Sequence, residues 1–237
     1  MIAVFVNMAT VLVGSLLGIF FRSRLKAGLQ KALLFALGLC TVVIGVTSAI
    51  AAEDILCVII CMALGTAAGE MLRIDDRIEN AGDYFRKKLV RNDSANSRFT
   101  EGFVSACILF CIGSMTIVGS LEAGIRHDYS IIFAKSTLDF VPSIALGAAM
   151  GFGVTCSVVF ILFMQGGLTL LAGFVSPLLS DIVVTQMTAI GGTILIGMAC
   201  NMLELGRDRI KVANMLPAIF LPILYYPVYD LLQKIIH

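Results

Sequence analysis

The chain has 237 residues, of which 59% are hydrophobic and 14% are charged, whereas ordinary soluble domains carry about 25% charged residues. This composition excludes a typical soluble domain and indicates a chain whose main solvent is lipid. The net charge of +1 gives no reason to expect a nucleic-acid partner.

Apolar windows of about 20 residues predict eight membrane-spanning helices. The first window lacks a basic leader and a small-residue cleavage site, so we interpret it as a retained helix. The expected fold is an all-α polytopic bundle, with residues 1–237 forming a single transmembrane domain. The predicted helices are Ile2–Phe21, Ala32–Ala52, Ile55–Leu72, Gly102–Leu121, Ile131–Val154, Thr155–Phe174, Ile182–Leu203 and Met215–Leu232.

The distribution of basic residues predicts the topology. Most Lys and Arg residues follow the first, third and seventh predicted helices, which end on the same side if there are eight spans. The positive-inside rule puts that side in the cytoplasm and both termini outside the inner membrane. Merging the fifth and sixth helices would break this parity. Segment 73–99 then becomes a cytoplasmic amphipathic connector on the inner membrane surface, with a regulatory or partner-binding role as the alternative.

Glycine pairs four residues apart indicate close helix packing. Such small-xxx-small motifs pack helices within one chain or between copies, so a homo-oligomer is possible. The similarity of residues 112–119 to residues 190–197 favours an inverted three-plus-three repeat, although glycine-rich helices also resemble one another by composition alone. The glycine pairs are Gly14/Gly18, Gly65/Gly69 and Gly147/Gly151.

Two charged residues interrupt the fifth predicted helix. Lys135 and Asp139 are four residues apart and therefore share a helix face. A charge at the middle of a bilayer costs about 2.5–3.5 kcal/mol on insertion scales, so intramembrane charges predict a functional site. Two structural alternatives remain open: a buried ion pair that only locks helix packing, or a Lys135 that snorkels to the outer headgroups.

Further polar residues and helix breakers accompany this pair. We predict that an ion- or substrate-binding site includes neutral ligands from several helices, although such residues also serve as interhelical hydrogen-bond partners. Helix breaks at mid-membrane line cavities in transporters. The predicted ligands are Lys135, Ser136, Asp139, Ser143, Gln165, Thr169, Thr193 and Asn201, and the predicted breaks are Pro142, Gly166, Gly167, Gly191 and Gly192.

Motifs of enzymes and of metal or cofactor sites are missing from the sequence. There is no phosphate-binding glycine loop, His-Glu-x-x-His or nucleophile elbow. We therefore expect no enzyme and no cofactor. The pairs Cys57/Cys61 and Cys107/Cys111 have the spacing of soft-metal ligands, but cysteine is also a small apolar filler, and we expect no metal.

Three ordered strings resemble those of a known family. Residues 113–121, 135–139 and 165–170 are similar to hallmark strings of the YqgA/YdfK-like bacterial membrane proteins, a family of unknown function. The resemblance extends over nearly the whole chain and implies a polytopic inner-membrane protein without assigning an activity. Family members are expected to carry a glycine after the aspartate, where this chain has Phe140.

These observations favour a secondary transporter or channel for a small ion or metabolite. Asp139 would bind a cation or proton, with Lys135 as its counter-ion in the empty state. The alternative is a membrane scaffold or partner subunit that transports nothing.

Overall fold

The computed structural model of the chain describes residues 1–22, 27–78, 80, 99–111 and 114–236, and the regular structure within them is entirely helical. The long α-helices in chain order are α1 (Ile2–Arg22), α2 (Ala27–Ala49), α3 (Ile55–Leu72), α4 (Phe99–Cys111), α5 (Ser114–Ile125), α6 (Ser130–Met150) and α7 (Phe152–Ile161). The remaining elements are a π-helix (Leu162–Gly166), α8 (Gly167–Leu170), α9 (Ala172–Val175), a 3₁₀ turn (Ser176–Leu178), α10 (Asp181–Met202), a 3₁₀-helix (Val212–Phe220) and α11 (Pro222–Ile236).

The all-helical membrane architecture predicted from composition is confirmed. Five continuous helical segments of the described chain are long and apolar enough to cross a membrane, or up to seven if each of two bent helix pairs is one span. The apolar part of α2, Leu34–Ala49, is shorter than these. Each of the eight predicted helices thus has a helical counterpart, while the span count and the inverted repeat remain predictions.

The junction between the fifth and sixth predicted helices differs from the expected position. Helix α6 ends at Met150 and α7 begins at Phe152, so the turn lies at Gly151 instead of after Val154. Gly151 has φ +82°, a conformation that L side chains rarely adopt. Gly151 therefore forms the turn between the two helices. The sequence had predicted it as the packing partner of Gly147 within one helix.

Small residues bring α1 and α6 into close contact. A Cβ at Gly18 would overlap the carbonyl oxygen of Ile144, and one at Gly14 would overlap the hydroxyl of Ser143. Gly147 packs in the same way on the backbone of Ser15. Because residue numbers increase together along this contact, α1 and α6 run parallel.

Two further helix pairs pack on glycines and run antiparallel. In the first, Gly38 of α2 contacts Leu203, and Gly45 contacts Gly192 of α10. In the second, Gly65 and Gly69 of α3 pack on the backbone of Ala218 and Asn214 in the 3₁₀-helix. The packing role predicted for the Gly14/Gly18 and Gly65/Gly69 motifs is observed in both cases.

The helix breaks differ in part from the predicted ones. Helix α6 continues through Pro142 and α10 continues through Gly191 and Gly192. Gly192 supports close packing instead, since a Cβ there would lie 2.7 Å from the backbone nitrogen of Ala49. The π-helix does end at Gly166, before α8 begins at Gly167.

Two other bends occur in the described chain. Helices α4 and α5 are bent by 56° relative to each other, and the 3₁₀-helix and α11 by 42°. The second bend follows from Pro222, the first residue of α11. Residues 112–113, between α4 and α5, lie outside the described residues, as does most of the predicted 73–99 connector.

Candidate functional site: a buried polar centre on α6

The ion pair predicted from the sequence is formed inside the helix bundle. The Lys135 ammonium donates a hydrogen bond to Oδ2 of Asp139. The two residues are 6% and 7% exposed, whereas Leu138 and Val141 on the opposite face of α6 are 62% and 68% exposed. The charges therefore face protein, and the apolar residues face the surroundings of the bundle. The snorkelling alternative for Lys135 does not describe this structure.

Asn7 of α1 joins the ion pair to a third helical segment. Its side chain lies close enough to the Asp139 carboxylate to interact with it, and its Nδ2 donates to Oε1 of Gln165 at 3.2 Å. Asn7 and Gln165 are both fully buried. These polar side chains thus connect α6, α1 and the π-helix. We call the group formed by Lys135, Asp139, Asn7 and Gln165 the polar centre.

Three of the four members of the polar centre lie at a similar distance from a helix end. Asn7 is five residues after the start of α1, Lys135 five after the start of α6, and Gln165 five before Leu170, where α8 ends. At 1.5 Å per residue this places each of them about 8 Å from a helix end, with Asp139 roughly 14 Å along α6.

The backbone is irregular where Gln165 enters the centre. Leu162–Gly166 forms a π-helix, a rare geometry that occurs mostly as single-turn insertions and often at functional sites. The extra residue in the turn changes the direction of the side chains that follow it. Gln165 lies within this π-helix, and its side chain accepts the hydrogen bond from Asn7.

Several buried polar atoms of the centre lack partners among the described residues. They include Oδ1 of Asn7 and Nε2 of Gln165, together with the nearby hydroxyl of Thr169. A buried polar group without a hydrogen bond costs about 1–3 kcal/mol. Groups of this kind are expected in a site that hydrogen-bonds a ligand.

The bent pair α4/α5 adjoins the polar centre. Cys111, the last residue of α4, is close enough to interact electrostatically with both Lys135 and Asp139. Across the bend, the Thr116 hydroxyl donates to the carbonyl of Phe110 at 3.2 Å. Gly119 of α5 packs on Ile131 and Ile132 of α6, about one turn before Lys135. The centre is therefore bordered by two irregular segments, the π-helix and this bend.

Other predicted ligands lie elsewhere or bond to their own helix. The hydroxyls of Ser136, Ser143 and Thr193 donate to backbone carbonyls three or four residues earlier, and Ser143 also packs against Gly14. Asn201 bonds both the N–H and the carbonyl of Ile210, at 2.9 and 2.8 Å, and so fixes the loop after α10. The structure brings together Lys135, Asp139 and Gln165, with Thr169 one turn beyond Gln165.

A second polar cluster lies beyond the C-terminal end of α3. The sequence did not predict it. Arg209 contacts Asp75 and Glu101, each at 3.5 Å, and the Asp75 N–H donates to Asn214 at 2.8 Å. Asp75 is 2% exposed. We call Arg209, Asp75, Glu101 and Asn214 the loop cluster. It connects the segment after α3, the start of α4 and the loop after α10.

Metal binding finds no support in the described residues, among which no three His, Cys, Asp or Glu side chains converge. The Cys57 and Cys61 sulfurs are 3.8 Å apart and buried. Two thiols alone make an incomplete coordination sphere for a structural metal.

An all-helical bundle with apolar exposed surfaces and a buried ion pair is the architecture of a polytopic membrane protein. Residues 2–227 match the family described as "Protein of unknown function (DUF554)", and the chain belongs to that family. It is 27% identical over 220 residues to the uncharacterized membrane protein YdfK of Bacillus subtilis, with 91% of each chain covered. It is also 27% identical over 221 residues to the uncharacterized protein YqgA of Escherichia coli, with 92% of each chain covered. No solved structure matches the chain.

Proposed function

We propose that this protein is a secondary transporter or channel for a small ion or metabolite in the bacterial inner membrane. The proposal rests on the ion pair Lys135–Asp139, which is buried in the bundle and linked through Asn7 to the π-helix. Intramembrane charges that face the bundle interior commonly mark substrate or ion pathways. Irregular helices beside them are typical of transporter binding sites.

The placement of both charges on one helix supports this role over a purely structural lock. Lys135 and Asp139 pair within α6, so their bond does not tie two helices together. The α1 side chain that lies beside the pair is the neutral amide of Asn7. If the pair served only helix packing, no charges would be needed, because the neutral amide of Asn7 already makes a hydrogen bond between helices.

The proposed mechanism is an exchange of partners. A ligand that binds Asp139 or Lys135 releases that group from the internal pair, and the helices around it adjust to the new contacts. The π-helix is the element suited to move, because its backbone hydrogen bonding already departs from that of an α-helix. In this scheme the protein is not an enzyme and requires no cofactor, and its partners are the lipid bilayer and the transported solute.

We propose the eight-span topology with both termini outside and the 73–99 segment in the cytoplasm. The parallel α1/α6 pair and the antiparallel α2/α10 and α3/3₁₀-helix pairs have the directions that eight alternating spans require. Ion pairs Lys31–Glu204, Arg209–Asp75 and Lys211–Asp76 join residues that this topology assigns to one side. The basic residues at that end favour the cytoplasm.

The transport proposal is tested with proteoliposomes loaded with a bacterial cytosolic extract together with Na⁺ and K⁺. Wild-type protein is expected to release at least one solute that Asp139→Asn retains, with release followed by mass spectrometry and ion-sensitive dyes. Lys135→Gln combined with Asp139→Asn keeps the centre neutral and serves if the single variant misfolds. Glu122→Gln, which removes an exposed i,i+4 pair with Arg126, is the matched control. Equal retention by all proteins would refute transport and leave the scaffold alternative.

A further inference from the structure

The charge balance of the polar centre restricts the chemistry of its ligand. Lys135 and Asp139 neutralise each other in a region where both side chains are at most one-tenth exposed. A ligand with one charge would occupy one partner and leave the other uncompensated, which is strongly unfavourable inside a protein. A ligand that carries both charges keeps the site neutral while it separates the pair.

The spacing of the two charges restricts the size of such a ligand. Lys135 and Asp139 are four residues apart on α6, which places their Cβ atoms about 5–6 Å apart. An ammonium and a carboxylate attached to the same carbon atom of a small molecule can meet both groups at that distance. A molecule whose opposite charges are many bonds apart does not meet both groups together.

The unpartnered atoms beside the pair supply an independent indication. Oδ1 of Asn7 is an acceptor and Nε2 of Gln165 is a donor, and both belong to fully buried side chains. An ammonium group can satisfy the acceptor, and a carboxylate can satisfy the donor. A metal cation could use only the first of these atoms, and an inorganic anion only the second.

We propose that the polar centre binds a small zwitterion of the α-amino acid type. The ligand ammonium contacts Asp139 and Oδ1 of Asn7, and the ligand carboxylate contacts Lys135 and Nε2 of Gln165. This inference rests on the proposed transport function and specifies its substrate class. Binding replaces the internal ion pair by two ligand ion pairs, so no net charge enters the buried site.

The test uses the purified full-length protein and equilibrium binding of the common L-α-amino acids, L-alanine among them. At least one is expected to bind saturably. Its analogues without the amino group or without the carboxylate (propionate and ethylamine for L-alanine) are expected to bind about a hundredfold more weakly or worse, because each leaves buried polar groups unpaired. Lys135→Gln with Asp139→Asn should abolish binding, whereas Glu122→Gln should bind like wild type. Absence of amino-acid binding, or equal binding of a singly charged analogue, would overturn the inference.

The binding and transport assays separate this inference from the function on which it rests. Asp139-dependent release of a singly charged ion, without amino-acid binding, would overturn the zwitterion site and leave transport standing. Amino-acid binding without release from proteoliposomes would support the site and refute transport. Failure of both assays would refute both proposals.

Discussion

At the scale of single residues, burial distinguishes the polar centre from the other ion pairs of the chain. Lys135–Asp139 and Glu122–Arg126 have the same i,i+4 spacing, but the side chains of the second pair are 27% and 73% exposed. Exposed pairs contribute about 0–1 kcal/mol, whereas removing one partner of a buried pair costs about 3–5 kcal/mol. Spacing in the sequence is identical for the two pairs, and only the surroundings differ.

Asp139→Asn is therefore expected to lower the free energy of unfolding by about 3–5 kcal/mol, because it leaves the Lys135 ammonium buried without its carboxylate. Glu122→Gln should change it by less than about 1 kcal/mol. The free energies are measured by unfolding in mixed micelles with a denaturing detergent. Adding Lys135→Gln to Asp139→Asn should recover part of the loss, since the uncompensated charge is removed. Equal effects of the two single variants would contradict the buried pair.

Arg209→Gln is expected to destabilise the protein by about 1–3 kcal/mol, because the buried Asp75 carboxylate loses its cationic partner. Lys211→Gln is the control. Lys211 pairs with the half-exposed Asp76, whose hydrogen bond raises the pKa of Lys211, and its loss should have little effect. The same detergent unfolding assay compares the two variants. If Lys211→Gln is the more damaging change, the loop cluster has been misassigned as a stabilising contact.

At the scale of helices, the lengths of the apolar segments predicted the helices well, whereas the contacts between the helices were only partly predictable. Asn7 was not among the predicted ligands, although its side chain lies beside the ion pair and bonds Gln165. A single amide in an otherwise apolar helix is the signal that could have found it. Asn201 was predicted as a ligand, and in the structure its side chain bonds the backbone of Ile210 in the following loop, a contact that no sequence pattern indicates.

The glycines illustrate the same limit. Gly191 and Gly192 were predicted to break a helix, but α10 is continuous and Gly192 supports its contact with α2. Both uses require a residue without a side chain, so the sequence alone does not distinguish them. The predicted breaks that coincide with irregular backbone are Gly166 and Gly167, at the end of the π-helix.

Gly18→Ala is expected to destabilise the α1/α6 contact by about 1–3 kcal/mol. The added methyl group would meet the carbonyl oxygen of Ile144 and lie 2.7 Å from the backbone nitrogen of Ala148, and neither backbone atom can move without displacing α6. Gly28→Ala on α2 is the matched control, because its Cβ would have no neighbour within 4 Å. Unfolding in mixed micelles measures both. An unchanged stability for Gly18→Ala would show that α1 and α6 are less closely packed than described.

At the scale of the whole molecule, the ends of the bundle carry different charges and should face different compartments. The loop cluster and the ion pairs Lys31–Glu204 and Lys211–Asp76 lie at one end. Exposed residues of the loop between α5 and α6, such as His127, belong to the other end in the eight-span topology. The positions of the charged residues and the directions of the helices are independent observations, and both fit the eight-span topology.

In a background without native cysteines, His127→Cys should react with an impermeant thiol reagent added outside intact cells. Arg207→Cys, in the exposed loop after α10, should react only after the membrane is permeabilised. Reaction of both residues from the same side would contradict the eight-span topology. Reaction of each from the opposite compartment would keep the parity and reverse the orientation.

Transport requires that water and solutes reach the polar centre, and the reactivity of a cysteine at position 165 measures that access. In purified protein without native cysteines, Gln165→Cys is expected to react with a small charged thiol reagent. Ile132→Cys, fully buried on α6 three residues before Lys135, should remain unreactive until the protein is denatured. If both cysteines are equally protected in the folded protein, the centre is a dry structural ion pair and the transport account is wrong.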